Sequence, residues 1–140
     1  MTAREYLNQT FVINSEINRK QQHIEALRNL LVSSTPALTG MPKNPSPNNS
    51  RMADIVAEIA DLEKEVEADI DRLVQIRHDI VEAAFLLKAE TERAIIEDRY
   101  VKFMRWEEIV THLGYSKSHV LRIHNDAVNH IVLPLKNGTK

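Results

Sequence analysis

An uninterrupted heptad between residues 52 and 87 constrains this chain more than any other feature. Met52, Ile55, Ile59, Leu62, Val66, Asp69, Leu73, Ile76, Ile80, Ala83 and Leu87 follow one another at alternating steps of three and four, and only Asp69 is polar. A helix with 3.6 residues per turn gathers such positions into one narrow stripe, and that stripe leaves water by packing on another helix. Residues 51–88 would span roughly 57 Å at 1.5 Å per residue. Ser50 is placed to cap the start.

The partner stripe lies upstream. Tyr6, Thr10, Ile13, Ile17, Lys20, Ile24, Leu27 and Leu31 repeat the same steps, with Thr10 and Lys20 as polar interruptions. Thr2 is the expected N-cap, and Glu5, three residues on, completes a capping box. Between the two stripes, Ser33 to Ser50 holds Pro36, Gly40, Pro42, Pro45 and Pro47. Proline lacks the N–H and clashes inside a helix, so this stretch is expected as a loop, with a PxxP-like spacing at Pro42 and Pro45. The stripes can be buried in an antiparallel hairpin or by pairing between chains, and the similar lengths of the flanking helices favour the hairpin. A two-helix hairpin leaves Val56, Ile70 and Val74 at its flanks, so a homodimer or higher homo-oligomer is expected.

Composition narrows the function. The chain has few glycines and aromatic residues, which suits an all-α fold. It has no cysteine, which removes disulfides, thiolate metal sites and a cysteine nucleophile, and a reducing cytoplasm fits. The N-terminal sequence has no signal-like apolar run and no segment has membrane-span length, so a soluble, unprocessed cytoplasmic protein without a membrane partner is expected. Charge is unevenly spread. Residues 51–90 carry five Lys/Arg against eleven Asp/Glu, whereas residues 91–140 carry eight against six and four of the six histidines. A polyanion would avoid the middle and favour the C-terminal part. The acidic run Glu58, Asp61, Glu63, Glu65, Glu67, Asp69 and Asp71 reads as a solvated outer face rather than a carboxylate metal site, because most of these positions fall outside the seam and no ExxH motif accompanies them.

From Thr91 the heptad ends. Thr91 to Met104 reads as a helix with Ala94, Ile95, Tyr100 and Phe103 inward. Residues 105–131 then match a helix-turn-helix. Trp106 to Leu113 is the first helix, with Trp106, Ile109 and Leu113 on one face. Gly114 supplies the left-handed exit, Tyr115 is the apolar turn residue, Ser116 caps the second helix, and Val120, Ile123 and Ala127 face inward. Val110 departs from the usual pattern, which has a small residue there. The architecture expected is a hairpin domain over 1–90 (helix 1–32, loop 33–50, helix 51–89) and a helix-turn-helix domain over 91–140.

Residues 105–131, with WEEIVTHLG, the turn YS and KSHVLRIHNDAVNHI, resemble the region-four helix-turn-helix of bacterial sigma factors. The whole chain resembles a family of small phage and prophage proteins of Gram-positive bacteria, of a domain of unknown function grouped with the RinA and ArpU types of late-transcription regulator. MTAREYL, the Pro-rich loop, RMADIVAEIADLE, ADIDRLVQIRHDI and ERAIIEDRYVKFMRWEEIVTHLGYS carry that resemblance. It implies a transcription regulator acting on phage or prophage promoters, and the resemblance to sigma-factor region four places base contacts at Lys117, Ser118, His119 and Arg122.

Helix geometry points the same way. With Val120, Ile123 and Ala127 inward, Lys117, Ser118, Leu121, Arg122 and Asn125 face out, with His119 at the edge. An α-helix fits the major groove, where Arg122 can pair with guanine, Asn125 with adenine and Leu121 with a thymine methyl. Lys102, Arg105 and Ser116 are candidate phosphate contacts. Trp106 and Tyr115 are expected in the core. The histidines His112, His119, His124 and His130 are expected to add charge below pH ~6.5 rather than to bind metal. No cofactor is expected. The chain contains no phosphate loop, nucleophile elbow or HExxH, so no catalysis is expected. Besides double-stranded DNA, host RNA polymerase is a candidate partner. A small terminase-like packaging oligomer and a helical adaptor that does not read DNA are the alternatives.

Overall fold

A computed structural model describes residues 1–34 and 47–135. The described chain is all-α. Its order is α1 (Ala3–Ser34), α2 (Pro47–Phe85), α3 (Glu90–Ile96), a π-helical turn (Glu97–Val101), α4 (Trp106–Leu113) and α5 (Lys117–His130). Among the described residues no helix is long and apolar enough to cross a membrane.

Local chemistry sets the starts of these helices. The capping box at α1 forms as the sequence predicts. The Glu5 N–H donates to Thr2 Oγ1 at 3.1 Å, and the Thr2 N–H donates to Glu5 Oε1 at 2.8 Å. At α2 the prediction fails, because Ser50 lies inside the helix rather than capping it. The helix begins at Pro47, and a proline at a first helical position gives up an N–H that would have had no intrahelical acceptor. At the other end of the predicted loop Ser33 and Ser34 still belong to α1, and residues 35–46, with Pro42 and Pro45, lie outside the described residues.

Packing divides the chain into two compact units. One comprises Ser15–Asp71, and the other combines Met1–Asn14 with the chain from Arg72 onward. The predicted border at residue 90 is therefore not where packing divides, because the start of α1 and the end of α2 belong to the same unit as α3, α4 and α5.

In the Ser15–Asp71 unit the two helices run antiparallel. Residue 20 meets residues 65 and 69, whereas residue 28 meets residue 63. The apolar seam is buried at Ile17, Ile24, Leu27, Ile59 and Val66. The polar interruptions of the two stripes meet each other, with Lys20 Nζ donating to Asp69 Oδ2 at 2.8 Å. The Asp69 hydrogen bond is the largest influence in raising the Lys20 pKa. Glu65 lies 3.3 Å from the same ammonium, Arg28 pairs with Glu63, and His23 Nε2 lies 3.5 Å from Glu58. The acidic face of α2 is thus partly matched to cations on α1. A charged pair at one seam level specifies register, because sliding either helix sets a charge against apolar side chains. Asp69→Ala is expected to lower the urea midpoint, since it leaves Lys20 leaning on the more exposed Glu65. Lys20→Leu combined with Asp69→Leu is expected to restore the midpoint to the parent value or above. A double variant less stable than Asp69→Ala would refute this.

The other unit is built around Leu7, Ile80, Ala84 and Ile96, which are fully buried with Tyr6, Ala83, Leu87, Tyr100, Ala127, Val128, Ile131 and Leu133 around them. Tyr6 Oη donates to Asp79 Oδ2 at 3.0 Å, and burial followed by that carboxylate pushes the phenol up to about 12. Helix α2 stops at Phe85, short of the predicted residue 89. Leu86 and Leu87 close a tighter turn onto the Ala83 and Ala84 carbonyls, and Arg93 Nη1 donates to the Leu87 carbonyl at 2.9 Å.

The predicted helix over 91–104 is α3, a π-helical turn and an irregular exit. The Lys102 N–H reaches back five residues to Glu97 O at 2.9 Å, and Met104 N–H reaches Asp98 O at 2.9 Å. Phe103 leaves with φ 58°, a conformation disfavoured for a residue with a Cβ. Its ring is held edge-on to Phe11 at 5.4 Å and under the Arg77 guanidinium at 5.3 Å. Ile95 and Tyr100 are buried as predicted, but Ala94 and Phe103 are only half-buried. The predicted flank residues Val56, Ile70 and Val74 are exposed.

Candidate nucleic-acid interface

A small second core fixes α4 against α5. Ile95, Ile109 and Val120 are fully buried, with Met104, Trp106, Val110, Leu113 and Ile123 packed around them. The departure at Val110 is therefore accommodated as half-buried packing. Glu108 Oε1 accepts the backbone N–H of Arg105 at 2.8 Å and fixes the start of α4.

The turn between the helices follows the sequence logic. Gly114 takes φ 78°, and its N–H donates to Val110 O at 2.9 Å. Nothing lies within 4 Å of a Cβ built there, so the requirement for glycine is conformational rather than a matter of space. Ser116 Oγ accepts the His119 N–H at 3.2 Å and caps α5. Tyr115 is a correction. It is 36% exposed, not a core residue, because its ring lies outside the turn against the His119 imidazole, 4.6 Å away.

Helix α5 buries Val120, His124, Ala127 and Val128. The opposite side leaves Lys117, Ser118, Arg122 and Asn125 exposed, with His119 and Leu121 half-buried. Of the predicted phosphate contacts, Lys102 lies 3.5 Å from the buried Asp98 and Arg105 lies 3.7 Å from Glu108. Ser116 is engaged in its cap.

The histidines separate into different environments. His124 is 4% exposed, its Nε2 is 2.6 Å from Tyr100 Oη, and its ring meets the Trp106 edge at 4.9 Å. Burial, then the charges of Arg4 and Arg99, lower its pKa to about 4. The expectation that it gains charge below pH ~6.5 is therefore corrected: desolvation keeps it neutral. His112 Nδ1 lies 2.8 Å from Asp98 Oδ2, and His130 Nδ1 lies 3.1 Å from Glu92 Oε1.

Two arginines that sequence reasoning passed over belong to this region. Arg99 lies against Phe11 and Trp106, 4.6 and 4.5 Å from their ring centroids, and donates to Met104 O at 3.0 Å. Arg4, from the first turn of α1, donates to Asn125 Oδ1 at 3.1 Å. Both placements depend on contacts between segments distant in sequence or on an irregular turn, and neither leaves a periodic signal.

No protein-family model matches the chain, and no curated protein or solved structure was found to be similar to it.

Proposed function

We propose that this protein is a sequence-specific DNA-binding regulator that lays α5 in the major groove. The observation that carries this reading is the exposed row Lys117, Ser118, Arg122 and Asn125 on a helix whose other side is anchored in the core. An α-helix fits the major groove, and Arg and Asn match the acceptor and donor patterns of base edges there. Lys117 and the N-terminal amides of α5 supply phosphate contacts, together with Lys102 and Arg105. The resemblance to phage and prophage regulators extends the proposal to phage or prophage promoters in a bacterial cytoplasm, with the protein acting as a homodimer or higher homo-oligomer. Contact with host RNA polymerase belongs to the same proposal.

Alanine at Arg122 tests it. Titration of labelled duplexes carrying a site enriched by the parent protein from a randomised library is expected to show a loss of about 1–3 kcal/mol and relaxed preference at one base pair. Unchanged affinity at ~150 mM salt, where weak phosphate attraction is largely screened, would overturn base reading by α5. Light scattering separates the alternatives, because a ring of many subunits would favour packaging over regulation.

A further inference from the structure

Arg4 reaches α5 across 121 positions of sequence. The reciprocal Thr2–Glu5 bonds fix the backbone on either side of it, and Tyr6 and Leu7 bury the next turn. The guanidinium is exposed, so it lies on the same accessible surface as Asn125.

The chemistry of this pair changes what Asn125 presents. An Asn amide has one acceptor oxygen and an NH2 with two donors, whereas Arg has donors only. The amide must turn its oxygen toward the guanidinium, because the opposite orientation sets donors against donors. Adenine shows the major groove an N7 acceptor and an N6–H2 donor, so reading it with Asn requires that the amide oxygen accept the N6–H2 donor on one of its two lone pairs. Here that oxygen already accepts from Arg4, and the cation opposes the approach of a further donor. What remains outward is Asn125 Nδ2 and the other guanidinium N–H groups, all of them donors. Guanine is the base whose major-groove edge offers two adjacent acceptors, O6 and N7.

We propose that Arg4 and Asn125 form one reading unit that selects guanine, in place of the adenine expected of Asn125 alone. This rests on α5 being a DNA reader, and it adds the start of α1 to the interface.

Selection from a randomised duplex library, followed by sequencing, tests the unit with the full chain. The parent protein is expected to prefer guanine at one base pair assigned to Asn125 by loss of that preference in Asn125→Ala. In Arg4→Ala the guanine-over-adenine ratio at that pair is expected to fall about tenfold or more, with other positions unchanged. Arg4→Lys keeps a cationic donor and is expected to retain the preference. Thermal melts followed by circular dichroism check that each variant is folded. An Arg4→Ala protein that loses affinity equally for all sequences, or keeps the same preference at that pair, would overturn the proposal while leaving α5 as a reader. A folded parent protein that enriches no sequence would remove the DNA-reading function and this proposal with it.

Discussion

Ile80→Ala is expected to lower the unfolding free energy by about 2–5 kcal/mol. Ile80 is fully buried on the seam side of α2, among Tyr6, Leu7, Ala84, Ile96 and Tyr100. Truncation removes transfer free energy and leaves a cavity that helix backbones on several sides cannot close, and the cavity adds to the loss. Val74 lies six residues earlier on the same helix and is 60% exposed, so Val74→Ala is expected to stay within about 0.5 kcal/mol. Urea titration of both variants measures the difference through the midpoint at constant slope. Equal effects would mean that the heptad stripe is not the buried face of α2.

The second large effect is a loss of stability in acid that centres on His124. Its folded pKa of about 4 lies below the 6.5 of an unperturbed imidazole, because burial and the neighbouring Arg4 and Arg99 charges disfavour the imidazolium. Above pH 6.5 the imidazole is neutral folded and unfolded, so it gives no pH dependence. As pH falls from 6.5 toward 4, the unfolded chain takes up a proton that the folded chain refuses. Stability falls through that window, by at most about 1.4 kcal/mol per pH unit for one such group, and this contribution levels off below the folded pKa. His124→Gln removes the titrating ring, keeps a side chain able to hydrogen-bond Tyr100, and is expected to flatten the slope between pH 6.5 and 4. Urea midpoints taken at intervals across that range give the comparison. A slope unchanged in His124→Gln would show that other groups govern the acid limb.

Much of the architecture was legible in the residues because it is local or periodic. The two heptads placed all of their apolar members on buried or half-buried positions. The Thr2–Glu5 box, the left-handed Gly114 and the Ser116 cap formed as their residue types require. These features depend on backbone geometry within a few residues, which side-chain chemistry dictates directly. The exposed row of α5 follows from the same periodicity, because fixing Val120 and Ala127 inward turns Arg122 and Asn125 outward.

The start of α2 is not legible in the residues, because the prolines before Ser50 suit a loop as well as a helix start. Pro47 instead opens the helix, at a position that tolerates a missing N–H. The exposure of Tyr115 is not legible either, because an apolar body does not reveal which side of a turn it will take.

The sequence alone therefore determined the two long helices and their buried stripes, the α4–turn–α5 segment, and the caps of α1 and α5, since each answers to spacing along one segment. Tertiary structure alone decided that Lys20 meets Asp69, that Tyr100 and Trp106 enclose a neutral His124, and that Arg4 takes hold of Asn125. Each of those depends on the distance between side chains that packing brings together, and spacing along the chain carries no record of that distance.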